Sequence, residues 1–173
     1  MNGIEIHKVT ENQLLELQKI SRQTFYEAFF EVNTEEDMAM YLEHNLSIEK
    51  LSVELSNENT EFYFAQLNGQ VIGYLKLNAN DAQTDLKDEH ALEVERIYLL
   101  IEYASKGVGQ LLMEKAYQVA QIKKAEYIWL GVWEHNTRAI QFYKRNGFSE
   151  FGSHMFKLGN DDQKDILMKR QLI

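Results

Sequence analysis

"YASKGVGQLL", residues 103–112, decides how this chain is read. The run before it, LEVERIYLL (92–100), has the apolar pattern of a strand. The run after it, QLLMEKAYQVAQIKK (110–124), carries Leu111, Leu112, Ala116, Val119 and Ala120 on one helical stripe. Gly107 and Gly109 therefore stand at a strand-to-helix junction, where glycine lets the backbone approach something closely. A dinucleotide fingerprint fails here, because its third glycine position is Leu112. A P-loop fails as well, because the spacing and the Lys-Ser/Thr pair are missing. What fits is an anion site made of successive backbone N–H groups at a helix start, with the helix dipole behind them. Residues Ser105, Lys106, Gly107, Val108, Gly109 and Gln110 are placed to wrap a pyrophosphate, with Lys106 adding positive charge. From the glycines alone, a plain tight turn accounts for the pattern equally well.

Working outward, IEIHKV (4–9) alternates like a strand. Thr10 with Gln13 forms a capping box that opens a helix carrying Leu14, Leu17, Ile20, Phe25, Ala28 and Phe29 on its core side. Thr34 with Asp37 starts a second helix, and a shorter one runs from Ile48 to Leu55. EFYFAQLNGQVIGYLKL (61–77) is a hairpin about Asn68-Gly69, a pair suited to a type I′ turn. Residues 79–90 are polar and aperiodic and read as a loop. YIWLGVW (127–133) is apolar enough for a central strand. A helix follows from Asn136 to a glycine cap at Asn146-Gly147. FSEFGSHMFKL and KDILMKRQL then form an antiparallel pair across a turn GNDDQ (159–163). The expected fold is α/β: one domain over residues 1–173, a mixed, mostly antiparallel central sheet flanked by helices.

The 173 residues carry no cysteine, which excludes a disulfide scaffold, a thiol nucleophile and Cys-ligated zinc, and fits a reducing, cytoplasmic setting. MNGIEIHKVT (1–10) has no apolar h-region and no run of about 18 apolar residues occurs, so neither a signal peptide nor a membrane span is expected. A net charge of −9 argues against a nucleic-acid surface and suits a cationic small substrate. His7, His44, His90, His135 and His154 have no metal-ligand spacing, so no metal is expected. Monomer and homodimer both remain open.

ERIYLLIEYASKGVGQLLMEKA (95–116), followed by YIWLGVWEHNTRAIQFYKRNGF (127–148), resembles the GCN5-related N-acetyltransferase superfamily. The first segment is similar to its acetyl-CoA motif, R/Q-x-x-G-x-G/A after a strand. The second is similar to N-x-x-A-x-x-x-Y-x-x-x-G-F. The resemblance spans nearly the whole chain and is nearer still to the bacterial spermidine/spermine N-acetyltransferases, through stretches such as SRQTFYEAF (21–29), NTEEDM (33–38) and HMFKLGNDDQ (154–163). It departs at Ala104, where the motif has Arg or Gln, a change that implies either weaker cofactor affinity or a greater dependence on Lys106.

The resemblance implies acetyl-CoA as cosubstrate and direct transfer to an amine through a tetrahedral intermediate. It implies that Ile97, Tyr98 and Leu99 run beside the pantetheine, with a backbone N–H near Leu99 as oxyanion donor. Tyr143 matches the general acid of many relatives. A phenol with a pKa of ~10 donating to a thiolate whose conjugate acid lies near ~8.5 needs proximity in a dry site. As a helix-face aromatic, Tyr143 also has a plain packing reading. Asn136 is either a helix N-cap or a group facing the cofactor. Glu93 and Glu95 lie two apart on one strand and share a face, so either is a candidate base. Tyr26 and Glu27 combine a ring and an acid, which suits an alkylammonium group, although acids near a helix start also answer its dipole. The expected substrate is a small primary amine, a polyamine foremost. The alternatives are an aminoglycoside, an amino-acid derivative or a protein N-terminus, or a non-catalytic, CoA-binding regulatory role.

Overall fold

The computed structural model describes residues 3–172. Seven strands form one sheet: β1 (Ile4–Lys8), β2 (Thr60–Leu67), β3 (Gln70–Ala79), β4 (Ala91–Leu99), β5 (Tyr127–Trp133), β6 (Ser149–Leu158) and β7 (Asp161–Gln171). Their order is β1-β2-β3-β4-β5-β7-β6, antiparallel except for β4 beside β5. Helices α1 (Leu14–Phe29), α2 (Glu35–Asn45) and α3 (Ile48–Ser56) cover one face. Helices α4 (Val108–Ile122) and α5 (Thr137–Arg145) cover the other. Strand alternation divides the core accordingly: Ile128 and Leu130 pack with α4, while Trp129 and Trp133 point to the opposite face.

Local chemistry fixed most boundaries. The Thr10 N–H donates to Gln13 Oε1 at 3.1 Å, and a 3-10 turn at Glu11–Gln13 leads into α1. Thr34 caps α2 by accepting from the Asp37 N–H at 3.1 Å. Asn68 and Gly69 have φ of 50° and 82°, the left-handed pair that the hairpin needs. The β6–β7 turn is tighter than GNDDQ: Leu158 pairs with Asp161, so only Gly159 and Asn160 connect the strands. Asp162 is an exposed strand residue, and Gln163 is buried with its amide donating to Asn33 Oδ1 at 2.9 Å. Polarity at a strand end had looked like turn chemistry.

Two irregularities build the site. First, Lys76 pairs with Arg96 and Leu77 with Val94, so Glu95 is an extra residue, a β-bulge in β4. Second, β4 and β5 pair only over Ala91–Glu93 and Tyr127–Trp129. Beyond Glu93, β4 stays with β3 as far as Leu99, and β5 stays with β7 as far as Trp133. The two central strands diverge, and a cleft of about 1370 Å³ opens through the sheet between them.

Candidate active site

On the α4/α5 face the cleft is built mainly of backbone. Ser105 and Gly107 adopt φ of 62° and 82°, curling the chain into the start of α4. The Gln110 and Leu111 N–H groups turn back to the Gly107 carbonyl at 3.1 and 3.3 Å. Those of Gly107, Val108 and Gly109 have no acceptor among the described residues. Three converging orphan donors with a helix dipole behind them suit a pyrophosphate, so the residues present fit the cosubstrate implied above. Val108 gives only its N–H, since its side chain is buried in the core. Ala104, Ser105, Gly107, Gly109 and Gln110 line the cleft.

The Leu100 N–H donates to the Ile72 carbonyl at 2.9 Å, toward β3. Because N–H directions alternate along a strand, those of Ile97 and Leu99 point the other way, into the gap left by β5. Gly73 on β3 permits this arrangement: a Cβ there would lie 2.7 Å from the Tyr98 carbonyl oxygen. Tyr98 itself points to the α1 face, where its ring meets those of Phe25, Phe29 and Tyr74.

Tyr143 is buried against Phe142 and Phe148 and lines the cleft. Its hydroxyl has no hydrogen-bond partner among the described residues, and burial pushes its pKa well up, so it stays protonated and free to donate. Asn136 serves both readings: its Oδ1 accepts from the Ala139 N–H at 3.1 Å, capping α5, while the residue lines the cleft.

Lys106 does not line the cleft; its Nζ sits over the Tyr103 ring, 5.4 Å from the centroid. The cation beside the loop is instead Arg138, from the first turn of α5, whose Nη2 donates to Ser105 Oγ at 2.5 Å. Sequence reading missed it because nothing local links residues 33 apart.

On the opposite face, side chains make the site. Glu93 accepts from Asn78 Nδ2 (3.0 Å), the Thr84 N–H (2.9 Å) and Thr84 Oγ1 (2.5 Å). Burial raises its pKa, the charge of Glu95 adds to the rise, and the bonds from Thr84 and Asn78 oppose it. Glu95 shares the face, as the spacing predicts, and accepts from the same Asn78 Nδ2 at 2.6 Å. The bulge brings Arg96 to that face too. Arg96 lies 3.3 Å from Glu95 and makes a fork of 2.9 and 3.1 Å with Glu54 of α3, while Lys76 bridges Glu54 and Glu95. Burial would push the Glu95 carboxyl up, but Arg96, Lys76 and the Asn78 bond outweigh it and hold it at about 2. Glu95 is thus the anion of a neutral four-charge cluster, a poor base.

Glu27 lines the cleft but is occupied: it accepts from the Ile101 N–H at 2.8 Å and from Gln23 Nε2 at 3.0 Å. Tyr26 is not at the cleft. It stacks on Phe30 at the exposed side of α1, because Phe25 and Phe29, one position back in each turn, take the inward direction. The wall here is Phe29, Glu31, Trp133 and Phe156, together with a group that the sequence did not suggest. In that group, His154 of β6 lies 2.9 Å from Asp85 and 3.6 Å from Asp165 of β7. Burial raises the Asp165 pKa, and His154 opposes the rise. Gly131 of β5 leaves room for them, since a Cβ there would meet Asp165 Oδ2 at 3.3 Å.

Residues 15–148 match the family model described as the acetyltransferase (GNAT) family. A protein of Lactobacillus delbrueckii subsp. lactis, named uncharacterized N-acetyltransferase in pepI 3'region, is 42% identical over 100% of both chains. The spermidine N(1)-acetyltransferase of Thermoplasma acidophilum is 28% identical over 98% of each. The crystal structure of PaiA N-acetyltransferase from Thermoplasma acidophilum, in complex with coenzyme A, shares the fold. Its TM-score is 0.80 at 24% identity, covering 98% of this chain and 99% of that one.

Proposed function

The chain belongs to the GNAT acetyltransferase family and is an acetyl-CoA-dependent N-acetyltransferase, and from that premise we propose that its acceptor is a polyamine of the spermidine or spermine kind. The observation that carries this reading is the wall opposite α4 and α5. There Glu31, Asp85, Glu93 and Asp165 stand among Phe29, Trp133 and Phe156. Carboxylates set among aromatic faces suit a flexible chain with more than one ammonium group, through charge and cation–π contact. The 28% identity to a spermidine acetyltransferase agrees with it.

When bound, acetyl-CoA supplies the activated acetyl group. The chain supplies the rest from the two faces that the cleft joins. Glu93 has the raised basicity needed to take the ammonium proton, and Asn78 and Thr84 hold its carboxylate in place. The Leu99 N–H, aimed into the gap, is positioned to stabilise the oxyanion. Tyr143 holds a proton on an otherwise unbonded hydroxyl facing the cleft, the requirement for protonating a leaving thiolate. That free hydroxyl favours catalysis over a regulatory role limited to binding the cofactor.

The test follows thiol release from acetyl-CoA with spermidine, spermine, a simple monoamine, an aminoglycoside and a peptide with a free N-terminus. The expected outcome is the highest kcat/KM with a polyamine. Faster release with the aminoglycoside or the peptide would overturn the substrate assignment and leave the reaction class standing.

A further inference from the structure

We propose that Arg138 supplies, from α5, the positive charge to the bound pyrophosphate that the glycine loop lacks at Ala104. The inference rests on the coenzyme A reading and concerns the residue that replaces a missing part of the loop. Ala104 lines the cleft but offers neither charge nor a donor side chain there. Lys106, the nearest cation in sequence, is turned onto Tyr103 and away from the cleft. Arg138 lines the cleft beside Ser105, Gly107 and Gly109.

Its anchoring is specific. One guanidinium nitrogen bonds Ser105 Oγ at 2.5 Å, and Ser105 is held at φ 62°, a conformation that a serine seldom adopts. The same turn that leads into α4 thus carries the hydroxyl that Arg138 bonds. Among the described residues, the arginines paired with carboxylates are Arg22 and Arg96, and Arg138 is not one of them. A guanidinium has five N–H donors in a planar fork, so a single bond to Ser105 leaves most of them for an anion, and the fork matches phosphate oxygens. The orphan N–H groups of Gly107, Val108 and Gly109 would hold the pyrophosphate from the helix side, with Arg138 closing it from α5.

The test measures binding by calorimetry, independently of turnover, with three probes: coenzyme A, dephospho-coenzyme A and pantetheine. Dephospho-coenzyme A keeps the pyrophosphate and lacks the 3′-phosphate, whereas pantetheine lacks both. In R138A, affinity for the first two should fall about tenfold or more and to the same extent, with pantetheine unchanged. The double variant A104R/R138A, which restores the motif's own arginine without the Ser105 bond, should return to within about threefold of wild type. Loss confined to coenzyme A would mean that Arg138 reads the 3′-phosphate, which overturns the proposal. So would equal loss for pantetheine, or a double variant no better than R138A. If the wild type bound no coenzyme A, the cofactor reading itself would fail; if R138A bound as tightly as wild type, only this proposal would.

Discussion

The two faces joined by the cleft are built in different ways. Toward α4 and α5 the donors are N–H groups of Gly107, Val108, Gly109 and Leu99, fixed by the course of the backbone. Toward α1 the groups are side chains, Glu93, Asp85, His154 and Asp165, drawn from β4, a connecting loop, β6 and β7. A backbone site asks little of its own side chains, and Ala104 offers neither charge nor a donor there. A side-chain site depends on each of its members. Substitutions on the first face should therefore act through the few side chains that add chemistry, and those on the second through selectivity and charge.

The largest effect is expected from Tyr143→Phe. It removes a hydroxyl bonded to nothing among the described residues, so stability and coenzyme A affinity should stay within about twofold. Turnover should fall about a hundredfold or more, the low end for loss of a general acid. Steady-state rates set beside calorimetry would check this. Affinity falling in step with turnover would make Tyr143 a packing residue and blur the contrast between the faces.

Next come the two carboxylates of β4. Glu93, raised by burial, must lose its proton before it can accept one, so activity should rise with pH through a value above the ordinary carboxylate range. Glu93→Gln should lower kcat/KM by about tenfold or more and abolish that acidic limb. Glu95, held at about 2, is ionised across any working range and should contribute no limb. Because its folded pKa lies below the ordinary value, its stabilising contribution is present above about 4.5 and is lost as pH falls toward about 2. Glu95→Gln leaves Lys76 and Arg96 short of a counter-charge and should cost about 3 kcal/mol in urea unfolding. A pH profile that moved with Glu95 instead would reverse the two roles.

These differences also explain what the sequence disclosed. The Asn68-Gly69 hairpin, the Thr34 and Asn136 caps and the glycine loop were legible because each is local: the residues that specify it lie within four positions of one another. The shared face of Glu93 and Glu95 followed from strand period alone. The bulge that turns Arg96 onto that face has no local signature, and neither does the Glu54–Lys76 pairing that makes Glu95 a structural anion. Tyr26 was misplaced by one helical step, which periodicity could resolve only once Phe25 and Phe29 were known to be buried. Arg138 and the Asp85–His154–Asp165 group depend on contacts between residues 33 and 69 positions apart, which only the folded chain creates.

The smallest effect should come from Asp165→Asn, and it discriminates most finely. Asp165 is paired at 3.6 Å with His154 and stands on β7, which β5 separates from the β4 strand of Glu93, so the proton transfer should not involve it. If it helps to hold a second ammonium group, its loss should raise KM for spermidine about fivefold, the size of a partly screened ion pair near 1 kcal/mol. The monoamine has no second charge to hold, so its KM and kcat should be unchanged. Equal changes for the two amines would mean that Asp165 serves only to position His154 and the β6–β7 pair. The acidic face would then be reading the overall positive charge of the acceptor, and the length of the amine chain would have to be measured by the aromatic wall of Phe29, Trp133 and Phe156.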